Sequence, residues 1–233
     1  MTGTLYGVGV GPGDPDLMTL KADRLIRAAK VIAYPTLAGA HSFARSIAAG
    51  SIAEGATEIV MDVPMTVARQ PAQDAYDAGA AQIEDALRSG LDVVCLCEGD
   101  PFFYGSFMYL YARLSGEFTC QVVPGVTSMT ASAAMTGMPL AARNEVLTVI
   151  PGPLEEAALE ARIAGSDSLV IMKVGRHLPK IRAVIERLGL LDQATYIERA
   201  TLPAQVTLPL AQAPEKAPYF SMILITKGAD PWL

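Results

Sequence analysis

The sequence predicts an α/β fold in two domains. Three observations carry that prediction. Short apolar, β-rich runs alternate with helical patterns along the whole chain. Val93–Cys97 is a near-continuous apolar strand, as expected of a parallel sheet covered on both faces. Thr201–Pro218 carries four prolines, so strands near it belong at an edge or in hairpins. The change of character falls near Gly125, giving residues 1–125 a mainly parallel sheet and residues 126–233 a mixed one.

Thr4–Val10 is the first expected strand. Thr19 can cap a helix whose Leu20, Leu25, Ile26 and Ala29 share a face. Val31–Tyr34 is a second strand, stopped by Pro35, and Ser42–Ala49 a short helix before Gly50. Glu58–Val63 is a third strand. The alanine-rich run Ala72–Ser89 is helical, with Ala81, Ile83 and Leu87 periodic, and ends at Gly90. After Val93–Cys97 comes the strand Cys120–Val123, closed by Pro124-Gly125, and then the helix Ser128–Thr136. Glu145–Ile150, Ser168–Val174, Ala194–Glu198 and Tyr219–Thr226 read as strands, and Pro179–Leu188 as a helix.

Composition narrows the function. The chain is 51% hydrophobic and 18% charged, which suits a packed core. Its net charge of −6 disfavours non-specific binding to nucleic acid or an anionic membrane. Cys95, Cys97 and Cys120 are an odd, small set, pointing to a reducing compartment. Cys95 and Cys97 alternate on a strand and read as buried apolar residues rather than metal ligands. His41 and His177 are far apart and isolated, so no metal site is expected. The start MTGTLYGVGV lacks a signal-peptide pattern, and no apolar run approaches a membrane span. A cytoplasmic location is therefore expected.

In open α/β sheets, ligands bind beyond the carboxyl ends of the strands. Three loops at such ends carry unusual chemistry: GVGVGPGDPD from Gly7, EGDPFFYGS from Glu98, and PGVTS from Pro124. The first is not a dinucleotide fingerprint, because Pro12 or Asp14 stands where G-x-G-x-x-G needs its last glycine. It is not a P-loop, since no Gly-Lys-Ser/Thr follows. Pro12 has no N–H for an anion, and Asp14 and Asp16 add negative charge. What remains is a loop of little bulk that lets backbone approach a large ligand. Any one of the three also reads as an ordinary turn or cap. Three in one α/β half point to a site.

These loops, with VIMKVGR, YIERAT and YFSMILI, resemble the tetrapyrrole methylase family, whose members use S-adenosylmethionine (SAM) to methylate precorrins, uroporphyrinogen III and other acceptors. The matching segments run the length of the chain in the family's order. EGDPFFYGSFMYL, VIAYPTLAGAHSFAR, DVPMT and PYFSMILITKG are most similar to the branch that methylates precorrin-2 at C20. The resemblance implies two α/β domains with an active-site cleft between them, a homodimer, and folded SAM as cosubstrate. Carried over, it implies that Gly99, Asp100 and Phe103 contact SAM, with Thr127 and Ser128 at its methionine or adenosine part. Met172, Ala200 and Thr201 would line the adenine side, and Pro12 the boundary between SAM and acceptor. Gly11, Gly13 and Asp14 then belong to a floor for the tetrapyrrole.

A sulfonium methyl is already activated, so the implied reaction needs alignment and exclusion of water, with no covalent enzyme intermediate. The nucleophile would be the electron-rich C20 bridging carbon, which must afterwards lose a proton. Asp100, Glu98 and Tyr104 are candidate bases; Glu98 reads equally as a cap or turn residue, and Tyr104 as a packing aromatic. The acceptor's many carboxylates call for local cations, and Arg143, Lys173, Arg176 and Arg199 lie beside the matched motifs. Arg199, following Glu198, reads alternatively as half of an ion pair. Whether the acceptor is metal-free or holds cobalt stays open. An RNA methylase is disfavoured by the acidic balance, and a non-catalytic tetrapyrrole carrier by the intact SAM loops.

Overall fold

The computed structural model describes residues 1–37, 40–64 and 70–228. Parts of two quoted stretches, Ala38-Gly39 and Met65-Thr66, therefore lie outside the described residues. The chain divides into two compact units, Met1–Thr127 and Ser128 onward.

The first unit is a five-stranded parallel sheet. Its strands are β1 (Thr4–Gly9), β2 (Val31–Leu37), β3 (Thr57–Val63), β4 (Val93–Cys97) and β5 (Thr119–Val123), in the order β3-β2-β4-β1-β5. Side chains alternate across it and build a core on each face. On one face, Val8, Val10, Val94 and Leu96 pack under α1 (Leu20–Ala28) and α2 (Phe43–Ala48). On the other, Leu5, Val93, Cys95 and Cys97 pack under α3 (Gln70–Arg88) and α4 (Phe107–Leu114). All five residues of β4 are buried, as its apolar run predicts. Cys95 and Cys97 share one face of the strand as expected, each 1% exposed.

Several local expectations change. Thr19 does cap α1, accepting the Ala22 N–H, but Leu20 is 83% exposed. At ~100° per residue Leu20 and Ala22 point to nearly opposite sides, and Ala22 and Ile26 form the buried face. In α3 Ala81 is exposed and Ala80 takes its place; Ala80, Ile83 and Leu87 are buried at i, i+3 and i+7 spacing. β2 does not stop at Pro35. It pairs with β4 only as far as Ala33, so beyond that point its second edge is out of the ladder and a missing N–H is tolerated. α4 was not expected at all.

The second unit begins with α5 (Ser128–Thr136) and is built on a mixed sheet. Its strands are β6 (Leu147–Pro151), β7 (Ser168–Met172), β8 (Ala194–Glu198), β9 (Val206–Pro209) and β10 (Ser221–Thr226), in the order β6-β7-β10-β8-β9. β6 and β7 are parallel; β10 is antiparallel to β7 and β8, and β8 to β9. α6 (Glu156–Ala164), also unexpected, and α7 (Leu178–Arg187) cover one face around Ile150, Ile171, Tyr196 and Ile223. The other face is a smaller cluster of Val170, Ile197, Met222 and Leu224 packed by α5 through Met129. β9, inside the proline-rich stretch, is an edge strand as read from the sequence. β7 ends two residues before the expected Val174, because Lys173 has a φ of 56° and leaves the extended path.

Candidate functional site

In the first unit the loops after β1 and β4 lie side by side. β1 leads to α1 on one face of the sheet, and β4 leads to α4 on the other. Adjacent strands whose connections leave in opposite directions form a topological switch point, the place where such sheets take ligands. The sequence furnishes it with glycine. Val10 N–H donates to the Cys97 carbonyl at 2.9 Å, and Gly11 and Gly99 exchange backbone hydrogen bonds of 3.3 and 2.8 Å. A Cβ on Gly9 would lie 2.5 Å from the Gly99 oxygen, and one on Gly125 only 2.0 Å from it. The ends of β1, β4 and β5 thus meet as bare backbone, which no other residue type permits.

Asp100 ties these ends together. Its Oδ1 accepts the N–H groups of Phe102 and Phe103 at 2.9 and 3.1 Å, and its Oδ2 accepts that of Gly125 at 3.1 Å. A carboxylate that accepts three N–H groups this way shapes two loops, and protonating it would weaken that frame. Glu98 is different. Its side chain is open to solvent, yet enclosing protein desolvates it and pushes its pKa upward, opposed by a hydrogen bond from the Ala44 N–H near the start of α2. Its surroundings therefore favour the protonated carboxyl relative to a free glutamate, while Ser42 caps α2. Tyr104 is 44% exposed, sits at φ 56°, and meets the Phe103 ring edge-on at 5.3 Å. Asp14 accepts the Asp16 N–H and caps the short 3-10 turn Pro15–Leu17; Pro12 is partly exposed between the buried Gly11 and Gly13.

In the second unit β6, β7 and β8 point the same way, so their carboxyl ends and the start of β10 share one edge of the sheet. That edge carries Met172 at the end of β7 and Lys173 after it, and Arg199, Ala200 and Thr201 after β8. Met172 and Ala200 pack with Met129 on the α5 side, the helix that begins at Ser128. Arg176 is exposed in the next turn of the β7 loop. Arg143 is not with them. It occupies the turn before β6, held near the opposite edge by Ser168 Oγ donating to Leu140 O and Thr226 Oγ1 donating to Pro139 O.

Among the described residues, five non-glycine residues have positive φ: Tyr104, Arg143, Lys173, Arg199 and Thr201. All five stand in the set chosen from the sequence. Each such conformation costs on the order of 1–3 kcal/mol and persists where surroundings over-determine it, as at ligand sites. The sequence reading did not assign roles to Gly9, Gly125 or Tyr196. A glycine at a strand end, after a β-branched residue for Gly9 and after Pro124 for Gly125, is the signal for the first two.

The sequence matches the tetrapyrrole (corrin/porphyrin) methylases over residues 4–214. It is 40% identical to the precorrin-2 C(20)-methyltransferase of Sinorhizobium sp, over 98% of this chain and 97% of that one. It is 32% identical to the cobalt-precorrin-2 C(20)-methyltransferase of Salmonella typhimurium, over 97% and 98%. Among solved structures it is similar to uroporphyrin-III C-methyl transferase from Thermus thermophilus in complex with S-adenyl homocysteine, with a TM-score of 0.69, 27% identity, and 95% and 97% of the two chains covered. A cobalt precorrin-4 methyltransferase shares the fold at a TM-score of 0.75 and 24% identity, with 98% and 96% covered. Among the described residues no helix is long and apolar enough to cross a membrane. By its sequence, its fold and its glycine-built strand ends, the chain belongs to the tetrapyrrole (corrin/porphyrin) methylase family.

Proposed function

We propose that this chain is a SAM-dependent C-methyltransferase that transfers one methyl group to C20 of precorrin-2 in cobalamin biosynthesis. The observation that carries this reading is near-full-length identity of 40% to a precorrin-2 C(20)-methyltransferase, together with a built switch point where the family motifs fall. The glycines let the three strand ends meet backbone to backbone, which fixes the loops that carry the family motifs. SAM supplies an activated methyl; the chain supplies binding and alignment.

In this reading Gly99, Phe103, Thr127 and Ser128 hold SAM, with Asp100 acting by shaping the loops that touch it. Met172, Ala200 and Thr201 serve its adenine side, and Pro12 adjoins both substrates. Gly11, Gly13 and Asp14 belong with the acceptor, as does Tyr104. Lys173 and Arg176, on one sheet edge, take the acceptor's carboxylates; Arg199 is instead the ion-pair partner of Glu198, and Arg143 is set aside. Glu98, whose carboxyl is held above its ordinary pKa by desolvation, is the group assigned to the proton released at C20. The protein acts as a cytoplasmic homodimer.

A second reading, with cobalt already in the macrocycle, is favoured by the Salmonella relative. Titration calorimetry and product masses separate the alternatives. The expected result is binding of SAM's demethylated product and the gain of one methyl by metal-free precorrin-2. Tetrapyrrole binding without SAM binding would make the chain a carrier. Turnover of the cobalt form alone would establish the second reading.

A further inference from the structure

The turn after β8 is held by a buried acid. Glu198 is 8% exposed, and both its oxygens are occupied. Tyr196, fully buried two residues earlier on the same face of β8, donates its hydroxyl to Oε2 at 2.5 Å. Arg199 Nη1 donates to Oε1 at 2.6 Å. Adjacent residues of a strand point to opposite faces, so a side chain cannot ordinarily meet its immediate neighbour. Here the contact exists because Arg199 leaves the strand at φ 50°. Its N–H is anchored to the Phe220 carbonyl at 2.9 Å, and the chain then presents Ala200 and Thr201, the latter at φ 72°.

From this geometry we infer that Glu198, oriented by Tyr196, is a positioning residue. It pins Arg199 in the left-handed conformation and so sets the backbone of Ala200-Thr201 for the cosubstrate. The inference rests on the proposed role of Ala200 and Thr201. It differs from a plain structural ion pair in what it requires: the backbone at 199 matters for cosubstrate binding more than the guanidinium does.

The test is calorimetric titration of S-adenosylhomocysteine into the full chain and its variants, well below their melting temperatures. Wild type must bind; if it does not, the functional reading fails and this inference fails with it. Given binding, Glu198→Gln should weaken affinity about tenfold and raise the KM for SAM more than it lowers kcat. Tyr196→Phe, which leaves the ion pair, should weaken affinity about threefold, and it decides the matter if Glu198→Gln does not fold. Arg199→Gly, which adopts positive φ without strain, should bind several-fold more tightly than Arg199→Ala, though neither keeps a guanidinium. Lowered melting temperatures with unchanged affinities, or equal affinities for the glycine and alanine variants, would overturn the inference while leaving the functional reading intact.

Discussion

Asp100 is legible in the sequence as a candidate site residue, but what its carboxylate does in the fold is not. A Gly-Asp-Pro turn reads as either a catalytic acid or a loop former, and only the three N–H donors on its carboxylate decide. Asp100→Ala should therefore do more than weaken cosubstrate. Leaving those donors unpaired predicts a stability loss of about 1–3 kcal/mol in denaturant titration, alongside weaker S-adenosylhomocysteine binding. Glu98 carries a pH prediction. Its pKa is raised in the folded state by desolvation, so the folded protein holds the extra proton. Its contribution is most favourable below the ordinary carboxylate pKa of 4.5 and is lost as pH rises through the raised value. Glu98→Gln keeps an acceptor for the Ala44 N–H and removes the ionisation. The variant should gain melting temperature relative to wild type near neutral pH and little in acid. Glu58 works in the opposite sense: Arg45, and then Tyr34, hold its carboxyl below the ordinary value, so its stabilisation is present above 4.5 and fades as pH falls.

Elements were legible where hydrophobic periodicity and punctuation agreed. β4, β8 and α5 lie where the sequence reading puts them, because apolar runs there end at clear turn or cap residues. α4 and α6 were missed for different reasons. In α4 the aromatic run FMYLYARL suits a strand as well as a helix, and the burial of Phe107, Leu110 and Leu114 becomes visible only with the fold. α6 is short, alanine-rich and buries only Leu159 and Ile163. Packing between β1 and α4 supplies a direct test. A Cβ on Gly7 would lie 2.3 Å from the ring of Phe107, which is fully buried and has no room to retreat. Gly7→Ala should destabilise the protein by about 1–3 kcal/mol. Phe107→Ala should cost about 3–5 kcal/mol, and because the added Cβ strikes that ring, the double variant should lose less than the sum of the two.

For the molecule as a whole, a net charge of −6 must be reconciled with an anionic acceptor. Lys173 and Arg176 place positive charge on one sheet edge, beside an Arg199 paired with Glu198, and acid elsewhere on the chain is screened there. Raising ionic strength should therefore raise the KM for the tetrapyrrole while changing the KM for SAM much less, in steady-state assays from low to high salt. The two-sheet α/β architecture could be read from alternation and proline placement. The grouping of Lys173 and Arg176 at one edge, away from Arg143, could not, because it depends on strand direction within the second sheet. The most direct test of the account is carbon NMR of the tetrapyrrole after turnover with SAM labelled at its methyl carbon. A single new labelled methyl bonded to C20 is the predicted result. Label at another ring position, or none on the macrocycle, would contradict it.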